Sequence, residues 1–273
     1  MGKAFYGVSG VFLVLALAAL PVPVKHGLLD PKLAHVLAFG ACLIGLAALG
    51  AALGQSTCGD WRAILKSGRN TYSLSRLQMA LWTWLIFSAL LTLVACRIWS
   101  GHIDTALDIE LNGGLFAVMG ISFISGAATP ALLALKQGND TDPVQSAALS
   151  QRMAEPMLIK GQVVVRPRDQ PAKLSDIVKG DDSGSAGLID LSKVQNLVLT
   201  FALLAVYGII LAHAFWTGFP HDGTTFPDVS TQMAELLGIS HGAYLTYKAV
   251  PKPNADSSGH AIAYAGPPST PNA

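Results

Sequence analysis

The sequence predicts an all-α polytopic membrane protein with six transmembrane helices. Three observations predict it: an apolar composition with few charges, a series of uncharged runs of spanning length, and a short phrase that opens two of those runs. Of 273 residues, 51% are hydrophobic and only 13% charged, against roughly 25% charged in an average globular chain. A net charge of +1, with no basic run interleaved with aromatics, excludes a nucleic-acid partner and leaves the lipid bilayer as the expected surrounding. Cys42, Cys58 and Cys96 match no zinc spacing and read as small buried hydrophobes.

A spanning helix needs about 20 mostly apolar residues. The first run, Ala4 to Val24, is uncharged over 21 residues. It also has some features of a secretory signal, with Lys3 in front and small residues at Ala18 and Ala19. Its apolar core is longer than a signal's, and no small-x-small cleavage site follows Pro21 and Pro23. The second run, Leu33 to Gly59, carries only His35, and the third, Leu77 to Cys96, carries no charge. Leu111 to Leu135 is the fourth, and Val194 to Phe219, with His213 alone, is the fifth. The sixth, Val229 to Tyr247, holds Glu235 and His241 and is the weakest.

Lysine and arginine near span ends stay in the cytoplasm. Residues 60–76 carry Arg62, Lys66, Arg69 and Arg76, and the stretch from Lys136 to Lys193 carries eight lysines and arginines. The connections Gly101 to Glu110 and Pro220 to Asp228 hold acids and no lysine or arginine. Both termini are therefore expected in the cytoplasm. The domains are an N-terminal transmembrane pair (1–59), an interfacial segment (60–76), a first hairpin (77–135), a cytoplasmic insert (136–190), a second hairpin (191–248) and a disordered tail (249–273). Within the interfacial segment, "DWRAILKS" suits either a surface-lying helix or a polar turn. The insert shows a β-like run at Gln162 to Val165, and "GDDSGSAG" has the composition of a flexible linker.

The phrase "LSRLQ" at Leu74 returns 117 residues later as "LSKVQ" at Leu191. Each copy is followed by a span, a Trp-x-Gly, an acidic connection and a span holding Gly-Ile-Ser, at Gly120 and again at Gly238. This predicts a parallel duplication of one helical hairpin. Ser75 with Gln78, and Ser192 with Gln195, have the S-x-x-Q spacing of a capping box. Arg76 and Lys193 read as interfacial anchors, or as contacts to lipid phosphate.

Gly120, Ser122, Ser125 and Gly126 lie in the fourth span, and Gly238, Ser240 and Gly242 in the sixth. Small residues either let helices approach closely or line a polar passage. Ionisable residues inside spans are candidate functional groups. His213 and Glu235 fall at similar depth, and Arg97 and Glu110 lie near them, so the four are a candidate polar cluster for a proton or ion. The competing reading has Arg97 snorkelling and His213 serving as a structural hydrogen-bonder. No hydrolase, nucleotide-binding or metalloprotease motif occurs, and neither "GNDTD" nor "GDDSG" has the spacing of a calcium loop. No catalytic residue, metal or cofactor is expected.

The pattern "SLSRLQ…LFAVMGIS", repeated as "LSKVQ…LLGISHGAY", resembles a group of bacterial inner-membrane proteins built on paired hairpins of this type. The resemblance covers roughly Tyr72 to Tyr247 and implies a bacterial inner-membrane location. The functional expectations are a non-enzymatic, homo-oligomeric assembly around a channel or transport path, or a structural subunit that docks a larger membrane complex through its insert.

Overall fold

The computed structural model describes residues 29–139, 149, 157–218 and 225–250. The first expected span and the C-terminal tail lie outside them. Five helices make up most of the described chain: α1 (Pro31–Cys58), α2 (Leu74–Trp99), α3 (Gly113–Gln137), α4 (Leu191–Thr217) and α5 (Thr231–Ala249). α1 to α4 are long and apolar enough to cross a membrane. α5, which carries Glu235 and Lys248, is not among those four.

The apolar surface left open supports a membrane setting. Only 17% of the most apolar stretch of α4 is covered, and 33% of those of α1 and α3. Ile44, Ile124, Ile209 and Ile239, on four different helices, are 65–71% exposed. Water penalises such surface by about 25 cal/mol per Å², and hydrocarbon does not.

The helices begin and end at local signals. Pro31 occupies the first turn of α1, where its missing N–H costs nothing, and the Asp30 carboxylate accepts from the Lys32 N–H. Gly59 closes α1 at φ 70°, a left-handed conformation that a side chain disfavours. The "DWRAILKS" stretch then forms one 3₁₀ turn, Ala63–Leu65, and a Lys66–Tyr72 bridge closes the loop that follows it; Trp61 stays exposed.

α2, α3, α5 and α4 pack in a ring, each against the next, and α1 lies against α2 and α4. α3 and α5 form the most extensive contact and run in the same direction. At one end a Cβ on Gly114 would collide with the Val229 carbonyl; midway Gly238 faces Ile121; at the other end Lys136 donates to the Val250 carbonyl. Trp82, Ile86, Leu115, Leu211, Phe215 and Leu237 build the shared apolar core.

Between α3 and α4 the insert adds an antiparallel ribbon, β1 (Leu158–Lys160) and β2 (Val163–Val165), with Ile159 opposite Val164. A 3₁₀ turn, Leu174–Ile177, follows. The insert is tied to the ends of the helices: Gln162 N–H donates to the Lys136 carbonyl and Arg166 N–H to the Arg69 carbonyl.

Candidate functional site

The linker-like "GDDSG" is the best-buried polar part of the insert. Asp181, Asp182 and Ser183 are 8%, 5% and 1% exposed, which corrects the linker reading. Asp181 meets three cations from three places: Arg69 before α2 at 2.5 Å, Lys193 in the first turn of α4 at 2.9 Å, and Lys248 in the last turn of α5 at 2.5 Å. Asp182 takes Lys136, in the last turn of α3, at 2.7 Å. The four ring helices thus each direct one cation, from the helix or its leading loop, onto two adjacent carboxylates. Burial raises the Asp181 carboxyl, but the charges of Arg69, Lys193 and Lys248 outweigh it and hold it well below the usual carboxylate range. A second buried pair, Arg166–Asp176 at 2.8 Å, staples the insert to itself.

The repeated phrase does not build capping boxes. Ser73, not Ser75, caps α2, and it makes no side-chain bond to the helix. Ser75 is buried in the first turn, where its hydroxyl meets Thr129 of α3 at 2.9 Å and Tyr244 of α5 at 3.4 Å. Gln78 Nε2 donates to Asn196 Oδ1 at 3.1 Å and Thr200 Oγ1 at 2.7 Å, both on α4. These are buried bonds between helices, of the kind that hold apolar helices in register. In the second copy Asp190 is the cap; its carboxylate accepts from the Ser192 and Lys193 N–H groups and the Ser192 hydroxyl, while Gln195 is exposed. Lys193 is 3% exposed and occupied by Asp181 and the Lys179 carbonyl, so it is no surface anchor.

Helices α3 and α5, which carry the two Gly-Ile-Ser triplets, are packed together, and their serines are dry. Ser122 and Ser125 are 1% and 0% exposed, Ser240 is 7%. Close approach uses only some of the glycines: Gly126 fits against Met79 and Gly238 against Ile121, whereas no described residue comes within 4 Å of a Cβ at Gly120 or Gly242. On α5 His241, 2% exposed, has neither ring nitrogen hydrogen-bonded among the described residues, and the Ser122 and Ser125 hydroxyls have no partner there either.

The four residues of the candidate polar cluster do not converge. His213 and Glu235 are both exposed, and no hydrogen bond or ion pair joins them among the described residues. Arg97, 6% exposed, donates to the Thr105 and Asp108 carbonyls of its own hairpin loop. Glu110 is exposed and pairs across the two loops, its carbonyl with Phe226 N–H and its carboxylate with the Thr225 hydroxyl. Of the cysteines, Cys42 and Cys96 are buried and Cys58, the last residue of α1, is exposed.

Compared with known proteins, the chain matches no family model, no curated protein and no solved structure.

Sequence reasoning missed Asp181, Asp182, Asn196 and Thr200, and named His241 only as an ionisable residue of the sixth run. Asn196 and Thr200 had a usable signal. They are polar residues four apart in a span, which places both on one helix face.

Proposed function

We propose that the chain is a multi-pass protein of the bacterial inner membrane, acting as a non-catalytic structural subunit or anchor that holds its insert at the membrane surface for a partner. The observation that carries this reading is the Asp181 clamp, because one carboxylate bound by cations from three separate places fixes the insert relative to the bundle. The insert presents Leu174 and Ile189, each 73% exposed, as apolar ground for another chain. α5, at 19 residues, reaches about 28 Å at 1.5 Å per residue, close to the ~30 Å of a bilayer core. It serves as a sixth span, with its partners in α3 and α4. The shared direction of α3 and α5, and the pairing of Gln78 with Asn196 and Thr200, support two parallel copies of one hairpin. The cation-rich insert end is the cytoplasmic one.

The test is recovery of a co-purifying subunit from native membranes. Wild type retains it, and Leu174→Glu with Ile189→Glu loses it while the melting temperature of the solubilised chain is unchanged. Equal recovery contradicts the reading.

The channel or transporter reading keeps one specific support, the partnerless polar atoms of Ser122, Ser125 and His241 at the α3–α5 seam. Buried polar groups without partners are costly in hydrocarbon. A proton or potassium leak in liposomes containing the chain, abolished by His241→Ala, favours it; liposomes as tight as protein-free ones favour the anchor.

A further inference from the structure

We propose that the cleft between the end of α3 and residues 67–76, the loop before α2 with its first turn, binds the phosphate of an anionic phospholipid, with Arg76 as its charge partner. The proposal rests on the reading of α2 and α3 as spanning helices, which puts this cleft at the level of the headgroups.

The charges of the 60–76 segment are already assigned, with one exception. Arg62 and Lys66 pair with Asp60, and Arg69 with Asp181. Arg76, half-buried, has no acidic partner among the described residues and lines a cleft of ≈ 210 Å³. Ser73 lines the same cleft and its hydroxyl makes no bond to the helix it caps, so the first-turn N–H groups of α2 are uncapped by it. Arg69 also lines it, 7% exposed, with its Nε lacking a partner among the described residues. A guanidinium, a free hydroxyl and a helix N-terminus together suit a phosphate monoanion. The opposite wall is mostly apolar, from Pro130, Leu133 and Ala134 of α3. Free phosphate gains nothing from such a wall, whereas a lipid lays its glycerol and acyl chains along it.

The test uses the purified full chain in detergent, with dihexanoyl-phosphatidylglycerol, dihexanoyl-phosphatidylcholine and inorganic phosphate as probes of its melting temperature. Phosphatidylglycerol is expected to raise it saturably, and more than the other two. Arg76→Gln weakens the apparent affinity about tenfold, the usual scale for one charge-assisted hydrogen bond. Arg62→Gln leaves it unchanged, and Arg76→Lys retains most of it. Should Arg76→Gln not fold, Ser73→Ala replaces it, with a several-fold weakening expected. Unchanged affinity in the folded variant overturns the proposal. An equal shift by inorganic phosphate, or by phosphatidylcholine, overturns the anionic-lipid assignment. Flotation of the chain with phosphatidylcholine vesicles checks membrane insertion separately, so failure of the lipid site and failure of the spanning reading are told apart.

Discussion

The Asp181 carboxylate lies 2.5 Å from the Lys248 ammonium, joining the insert to the last turn of the last described helix. Lys248 also donates to the Tyr244 hydroxyl at 2.9 Å, and Tyr244 touches Ser75 at the start of α2. A chain of polar contacts thus runs from the insert into the bundle.

Acid should release the insert. The folded Asp181 carboxyl titrates well below its unfolded value, so its stabilisation is complete above the unfolded carboxylate pKa of about 3.9 and declines as pH falls toward the folded value. Protease protection of residues 157–190 is expected to be flat above about pH 5 and to fall below about pH 4. In Asp181→Asn it is low throughout, and this acid-dependent step is absent.

Gly114 and Gly120 make a paired test of the α3–α5 seam. A Cβ at position 114 collides with the Val229 carbonyl, while one at 120 meets nothing within 4 Å. Gly114→Ala should therefore destabilise by about 1–3 kcal/mol or more, since backbone must shift. Gly120→Ala should be neutral or slightly stabilising through helix propensity. Thermal unfolding in detergent distinguishes them.

Gln78 and Thr200 should couple. Bonds between membrane helices average about 0.6 kcal/mol in double-mutant cycles and reach about 1.7. The Gln78→Ala/Thr200→Ala cycle is expected in the upper part of that range, because Nε2 donates to Thr200 at only 2.7 Å.

His213 and Glu235 should not couple. Both are exposed and unjoined, so His213→Ala and Glu235→Gln should add within about 0.5 kcal/mol in the same measurement.

Four long apolar helices were legible because runs of bilayer-spanning length stand out in hydropathy, and α1 to α4 fall within a few residues of the expected runs. The use of small residues for close helix approach was legible in part: Gly126 and Gly238 pack against Met79 and Ile121, while no described residue crowds Gly120 or Gly242. The role of the repeated phrase was not. Ser75 and Gln78 are three apart, which suits a capping box and equally suits two contacts on one buried helix face. Only the position of the helix start, set by Ser73, decides between them. Asp181 was hidden for a different reason. Its cations come from Arg69, Lys193 and Lys248, and in sequence those residues read as interfacial charge. Local composition around Asp181 says linker, and the partners that bury it are distant along the chain.

Hydrogen exchange of residues 157–190, compared between wild type and Asp181→Asn in lipid nanodiscs, tests the central claim that this one carboxylate clamps the insert to the helix ends. Losing one partner of a buried charge network costs about 3–5 kcal/mol. Exchange in the insert is expected to accelerate by at least about a hundredfold while α1 to α4 keep their protection. Unchanged protection of the insert in Asp181→Asn would contradict it.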